Sequence, residues 1–236
     1  MALDQKKRQK KRAKKAAKRK AVVAAKRAAG GSSGFLAGAR SIALATSAPI
    51  HKCLMPEEMF EAGMGTVIVS RSMPDGRIGA SFFLLDVFCL GVKNAYFMAM
   101  SREAYDYRLG TVEQNETLTP IHPTCARKLV EGAEAYARDL GFSPHPDYQL
   151  AKRIFGDIDA VACPTSFTFG KDGKPFFITG PNDTPTRIEK IIVTLTKRCG
   201  PDGFHYMVGM GRERDFDDEE FEFDDEELEF EDEDKD

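Results

Sequence analysis

The sequence contains no apolar run long enough to cross a membrane. A membrane-spanning helix needs about 20 consecutive apolar residues, and the longest candidate, residues 80–92, is interrupted by Asp86. The N-terminus also lacks the apolar segment and the small-residue cleavage site of a secretory signal. We therefore expect a cytoplasmic protein without a membrane partner.

Cysteine is scarce, and its spacing argues against both disulfides and metal binding. An odd number of distant cysteines with no C-x-x-C pair disfavours a disulfide framework and a thiolate zinc site. We expect all of them to be reduced thiols, as in cytosolic proteins. The five are Cys53, Cys89, Cys125, Cys163 and Cys199.

The common catalytic and nucleotide-binding motifs are missing as well. The pairs Gly63/Gly65 and Gly209/Gly211 lack the third glycine and the strand-to-helix context of a dinucleotide fingerprint. No Walker motif occurs, and no Ser stands in the strand-to-helix turn of a G-x-S-x-G nucleophile elbow, since residues 30–34 have the composition of a Gly/Ser linker. The sequence therefore predicts no cofactor and reveals no established catalytic residue.

What the sequence does contain is an extreme separation of charge. Of the 34 Lys and Arg residues, 13 lie in residues 1–27 and two in residues 213–236. Of the 37 Asp and Glu residues, one lies in the first segment and 17 in the last, so the middle holds 19 of each sign. This pattern predicts a disordered polybasic head with a Gly/Ser linker (1–34), one globular domain (35–212) and a disordered acidic tail (213–236).

The head is the strongest functional signal, because dense cations neutralise phosphates and release counterions without needing a fold. Residues 6–27 predict binding to RNA or other nucleic acid, such as ribosome-like surfaces. The head contains no aromatic residue, so we expect binding without base stacking or sequence preference. A purely solubilising tail is the alternative. The expected contacts are Lys6, Lys7, Arg8, Lys10, Lys11, Arg12, Lys14, Lys15, Lys18, Arg19 and Lys20.

The tail interleaves acids with apolar residues. Such alternation can engage basic proteins while the aromatic side chains grip an apolar groove. Residues 213–236 therefore predict a basic protein partner, a fold-back onto the head, or a simple solubilising role. The apolar positions are Phe216, Phe221, Phe223, Leu228 and Phe230.

Periodicity predicts an α+β domain of antiparallel hairpins packed with three to four helices. A first hairpin joins residues 66–70 to the buried run 78–90, and a second joins 165–169 to 175–179. A last strand is expected at 204–208 and a short helix at 56–62, ending at Gly63 or Gly65. The pattern does not decide between helix and strand for 94–108. Helices are predicted at 124–140, 146–155 and 184–199.

Four segments are similar to an uncharacterised bacterial protein family. They are VSRSMPDGRIGASFFLLDVFCLGVKNAY (69–96), KLVEGAEAYARDLGF (128–142), HPDYQLAKRIFGDID (145–159) and FTFGKDGKPFFITGPNDT (167–184). The resemblance spans residues 49–210. It implies a single bacterial-type domain and assigns no functional residue.

Some residues are weak candidates for chemistry. Asp157 and Asp159 project to one side of an extended segment, and with His145 upstream they are compatible with a metal-assisted hydrolase; ordinary loop acids are the alternative. Cys125 follows a predicted helix start and is either an activated nucleophile or a core residue. Asp86, a charge in an apolar run, is either a general base or a structural partner of Lys93 or an arginine.

The sequence thus supports two hypotheses. The first is a noncatalytic interaction protein that binds nucleic acid weakly through its head, with the tail moderating this binding or recruiting a basic partner. The second is an enzyme with a metal site near Asp157, Asp159 and His145.

Overall fold

The computed structural model describes residues 33–180 and 183–208. The predicted α+β class is confirmed: an antiparallel five-stranded sheet in the order β4-β3-β2-β1-β5 carries helices on its faces. The expectations for residues 1–32 and 209–236 lie outside the described residues. The strands are β1 (Ile50–Pro56), β2 (Met64–Ser72), β3 (Ile78–Asp86), β4 (Gly91–Met100) and β5 (Leu118–Pro120).

The predicted first hairpin is confirmed and forms the centre of the sheet. β2 pairs with β3 from Met64↔Asp86 to Ser72↔Ile78, around a turn that contains Gly76. β3 is buried along almost its whole length, because both faces of the sheet are covered. Its side chains alternate, so Phe83 and Leu85 enter one core while Phe82 and Ile78 enter the other.

The larger core lies under α1 (Ser33–Thr46), α4 (Pro123–Asp139) and α5 (Tyr148–Ala151). α4 follows its predicted limits, and the Nδ1 of the N-cap residue His122 accepts a hydrogen bond from Thr124 N. α5 continues as a 3₁₀ turn over Lys152–Phe155, so the helix expected at 146–155 is split between two types of turn. This layer brings the end of α1 against the 3₁₀ turn, where Thr46 Oγ1 donates to Arg153 O at 3.0 Å.

The second face is covered by α3 (Arg102–Glu113), which packs through Tyr105 and Leu109. The sequence left this region undecided, and the structure divides it into a strand, β4, and this helix. Ser101 marks the boundary, because its side chain accepts a hydrogen bond from Ala104 N and so caps α3.

α2 (Met59–Ala62) is a single turn that ends at Gly63, as predicted, in a left-handed conformation with φ 79°.

The second predicted hairpin is wrong. Only β6 (Phe176–Ile178) forms, and it pairs in parallel with β7 (His205–Met207) rather than with residues 165–169. The residues expected to form the partner strand use their aromatic side chains for the core: Phe167 stacks on Phe60 and Phe169 on Tyr136. α6 (Pro185–Cys199), capped by Thr184 as predicted, packs under β6 and β7.

The prediction that every cysteine is a reduced thiol is also wrong. Cys125 and Cys163, 38 residues apart, form a disulfide with a Cα–Cα distance of 5.0 Å. Sequence spacing could not reveal this pair, because the two residues meet only when the loop after the 3₁₀ turn folds back on the start of α4. Cys53, Cys89 and Cys199 are free.

Within the described ranges, no helix has both the length and the apolar character to cross a bilayer.

Candidate anion-binding sites

Asp86 is buried at the end of β3 and organises the turn into β4. Its Oδ1 accepts hydrogen bonds from Phe88 N at 3.1 Å and Cys89 N at 2.8 Å. Burial raises the pKa of this carboxyl to about 6, and the charge of Lys93 and the backbone donors oppose that rise. The contacts are those of a turn-forming carboxylate; pairing with Lys93 or an arginine and a role as general base both stay predictions.

The residues of the proposed hydrolytic metal site are not brought together. His145 lies before α5, with its N–H donating to Val92 O, and its Nδ1 lies 3.9 Å from Asp147 Oδ2. Asp159 Oδ1 accepts from Val161 N in an exposed turn, and Asp157 is exposed beside Gly156. In the described part of the chain, no group of three or more His, Cys, Asp or Glu residues has metal-binding geometry.

Cys125 has no free thiol, because its sulfur is bonded to that of Cys163. The suggested nucleophile is therefore absent in this state. Cys89 is fully buried, and burial raises its pKa. Neither residue provides a reactive thiolate.

One buried cation, Arg71, has a structural role. It donates to Ile154 O at 2.8 Å, Ala48 O at 2.6 Å and Phe155 O at 2.9 Å. Ala48 follows α1, and Ile154 and Phe155 are the last two residues of the 3₁₀ turn, so the three carbonyls lie at C-terminal ends, where helix dipoles favour positive charge. Arg71 thus joins β2 to the helical layer and is unavailable to a ligand.

A basic surface, defined by Arg40, Lys152 and Arg153, lies where α1 meets the 3₁₀ turn. Lys152 and Arg153 line a cavity of about 440 Å³ together with Ala43 and Thr46 of α1. Arg40 is exposed one turn before Ala43 on the same side of α1, towards the end where the head is attached. These three cations therefore give the folded domain a basic surface of its own.

The other charges beside the basic surface largely cancel. Arg127 Nε pairs with Glu131 at 3.0 Å, and its Nη1 donates to Gly156 O and Ile158 O. Lys152 Nζ lies 5.3 Å from the centre of the Tyr148 ring, and the side chain of Lys152 is partly exposed. The net local charge is positive.

A groove of about 850 Å³ crosses one end of the sheet. Its floor includes Leu84 of β3 and Met64 of β2. Glu58 and Glu116 lie at its β1 side, and the Glu116 carboxylate is occupied by Thr66, which donates from its N at 2.8 Å and its Oγ1 at 3.3 Å. The opposite side, next to β4, is lined by Lys93, His145 and Arg187, together with Asp183.

That side adjoins a smaller cavity of about 330 Å³, which we call the cationic cavity. It shares Lys93, His145 and Arg187 with the groove, and no carboxylate lines it. Arg187 Nε pairs with Asp183 at 3.2 Å, and Asp183 Oδ2 also accepts from Gly180 N at 2.8 Å. The rest of the lining is mainly apolar: Leu90, Val92, Phe142, Pro144, Pro146 and Ile191.

The donors of the cationic cavity are suited to a carboxylate or a phosphate. His145 Nδ1 accepts from Asp147 N at 3.2 Å, which leaves Nε2–H as the donor of the neutral ring. Lys93 supplies an ammonium and Arg187 the outer nitrogens of its guanidinium. Sequence reasoning considered only His145 of these three as a site residue. The others come from β4 and α6, which are distant in the chain and carry no shared motif.

Comparison of the chain with protein families, with curated proteins and with solved structures found no match. The resemblance to a bacterial family therefore stays a prediction.

Proposed function

We propose that the protein is a noncatalytic interaction protein that binds RNA, or another nucleic acid, weakly and without sequence preference through residues 6–27. The observation that carries the proposal is the density of the head's cations, 13 in 27 residues, beside a domain whose own charges balance. The basic surface of Arg40, Lys152 and Arg153 supports the proposal, since it offers phosphate contacts next to the helix that follows the head.

The proposal predicts a steep salt dependence that comes mainly from the head. If about six head cations contact phosphates, the slope of log K against log salt for a single strand is about −4. The measurement is fluorescence anisotropy of a labelled 20-nucleotide RNA, at several KCl concentrations between about 50 and 200 mM. Replacing the eleven predicted contact residues by Gln should remove most of this slope and leave about −1, the share of the basic surface. An unchanged slope would rule out the head as the binding element.

The basic surface is tested separately by Lys152→Gln/Arg153→Gln. This variant should reduce the steepness of the slope by about 1 and weaken binding about threefold to tenfold at low salt. Lys190→Gln/Lys197→Gln, an equal change of charge on exposed positions of α6, is the matched control and should have little effect. Equal losses in both variants would indicate a general charge effect and exclude a defined surface.

A cytoplasmic location is part of the same proposal and now rests on the proposed partner alone. The Cys125–Cys163 disulfide removes the argument from reduced thiols, because disulfides are rare in cytosolic proteins.

A further inference from the structure

We propose that the cationic cavity binds the chain's own acidic tail, residues 213–236. The inference does not rest on nucleic-acid binding. Three features of the molecule support it: the chemistry of the cavity, the place where the chain leaves the fold, and the composition of the tail.

The cavity combines three hydrogen-bond donors, two of them cationic, with apolar walls. Lys93, His145 and Arg187 provide the donors, and side chains such as Phe142 and Ile191 provide the apolar surface. The tail has the complementary composition, with 17 acids and five Phe or Leu residues interleaved in 24 positions. Carboxylates can pair with the three donors while an adjacent aromatic side chain covers the apolar wall.

The described chain ends close to this cavity. β6 and β7 run in parallel with Ile178 opposite Met207, and Thr179 N donates to Met207 O at 3.1 Å. Val208, the last described residue, follows directly and lies about 5 Å from Thr179, the neighbour of Gly180. Gly180 is adjacent to Lys93, since a β-carbon at position 180 would lie 3.8 Å from Lys93 Nζ.

The remaining distance is short for the chain. Four residues, 209–212, lie between Val208 and Glu213, and the five Cα–Cα steps allow at most about 17 Å. A connection this short gives an effective concentration in the millimolar range, so individually weak charge contacts suffice for binding. Glu58 and Glu116 at the β1 side of the groove repel acidic residues and favour the β4 side, where the cationic cavity lies.

The test is carbodiimide cross-linking of the full-length protein, followed by mass spectrometry. Carbodiimide joins a carboxylate directly to an amine, and Lys93 is the cavity's lysine. We expect intramolecular links between Lys93 and acids of residues 213–236 at about 20 mM KCl, and their loss at about 500 mM. Links from the tail that reach only the lysines of residues 6–26 would overturn the inference and indicate pairing of tail and head.

Two substitutions test whether the cavity's own charges hold the tail. Arg187→Gln should lower the yield of the Lys93 link about threefold to fivefold, the effect of one lost charge contact. Because Arg187 also pairs with Asp183, His145→Gln provides a second test that leaves this pair intact. It should also lower the yield, because it replaces the ring Nε2–H donor of the cavity.

Lys190→Gln, one turn after Arg187 and exposed, is the matched control and should leave the yield unchanged. Equal yields in the Arg187 and His145 variants and in the wild type would overturn the inference, because the link would then reflect proximity alone. Loss of RNA binding in the anisotropy experiment has no bearing on these yields, so the two proposals fail separately.

Discussion

Two buried charges show how single residues are accommodated in this fold. Arg71 keeps its charge because three backbone carbonyls replace the hydration of its guanidinium. Asp86 receives backbone donors on one oxygen, and these do not fully offset the loss of water, so its pKa rises to about 6. The stability of the fold should therefore depend on the ionisation of Asp86.

The direction of this pH dependence follows from the sign of the shift. The pKa of Asp86 is higher in the fold than its ordinary value of 3.8, so the folded state binds the proton more tightly than the unfolded state. The ionised carboxylate of Asp86 lowers the free energy of unfolding by its full amount above about pH 6. This loss disappears as the pH falls towards 4. Between these values, rising pH lowers the free energy of unfolding through this group.

Asp86→Asn removes this dependence and keeps an oxygen for Phe88 N and Cys89 N. From about pH 4.5 to 7.5, the free energy of unfolding of the wild type should fall by about 2 kcal/mol relative to the variant. Urea unfolding at the two pH values measures the difference. Asp202→Asn, in an exposed turn, is the control. A constant difference between wild type and Asp86→Asn would show that Asp86 is not the titrating group.

At the scale of elements, the contact between β4 and α4 depends on a glycine. Gly91 begins β4 with φ 64°, and a β-carbon there would lie 2.6 Å from both Ala133 O and Ala137 Cβ. Gly76, in the β2–β3 turn, also has a positive φ, of 85°, but a β-carbon there would meet nothing within 4 Å. At both positions a residue other than glycine would be strained by the left-handed backbone. Only at position 91 would its side chain also collide with neighbouring atoms.

We expect Gly76→Ala to cost about 1 kcal/mol, from the left-handed backbone alone. Gly91→Ala should cost about 3 kcal/mol, because α4 must also move away from the strand. Denaturant unfolding of the two variants compares these values. Equal losses would mean that the β4–α4 contact adjusts without cost.

At the scale of the whole molecule, the Cys125–Cys163 disulfide fixes the long loop between the 3₁₀ turn and β6. Lys128 Nζ supports the same connection by donating to Cys163 O at 3.0 Å. A disulfide that closes a loop of this length is expected to stabilise a domain by about 2–4 kcal/mol, mainly by restricting the unfolded chain. The loop carries the aromatic side chains of Phe167 and Phe169 into the core, so its attachment affects the interior.

The variant Cys125→Ala/Cys163→Ala should lose about 2–4 kcal/mol of unfolding free energy. Dithiothreitol should produce a similar loss in the wild type and none in the variant. Cys199→Ala, which removes a free and partly exposed thiol, is the control and should lose much less. Full stability of the reduced wild type would contradict a structural role for the disulfide.

The amino-acid sequence by itself determined the features that depend on neighbouring residues. The β2–β3 hairpin follows from β-branched and aromatic runs around a Pro-Asp-Gly turn, and α4 and α6 follow from apolar periodicity between a capping residue and a glycine. The separation of charge between head and tail is likewise a property of composition. Local signals were sufficient here because the partners lie within one turn or one hairpin.

Only the tertiary structure decided the features that join distant parts of the chain. The parallel pairing of β6 with β7, the Cys125–Cys163 disulfide and the meeting of Lys93, His145 and Arg187 each unite residues from separate elements. Such contacts depend on how whole helices and strands pack, and packing energy is shared among many side chains. For this reason no spacing in the sequence could reveal them.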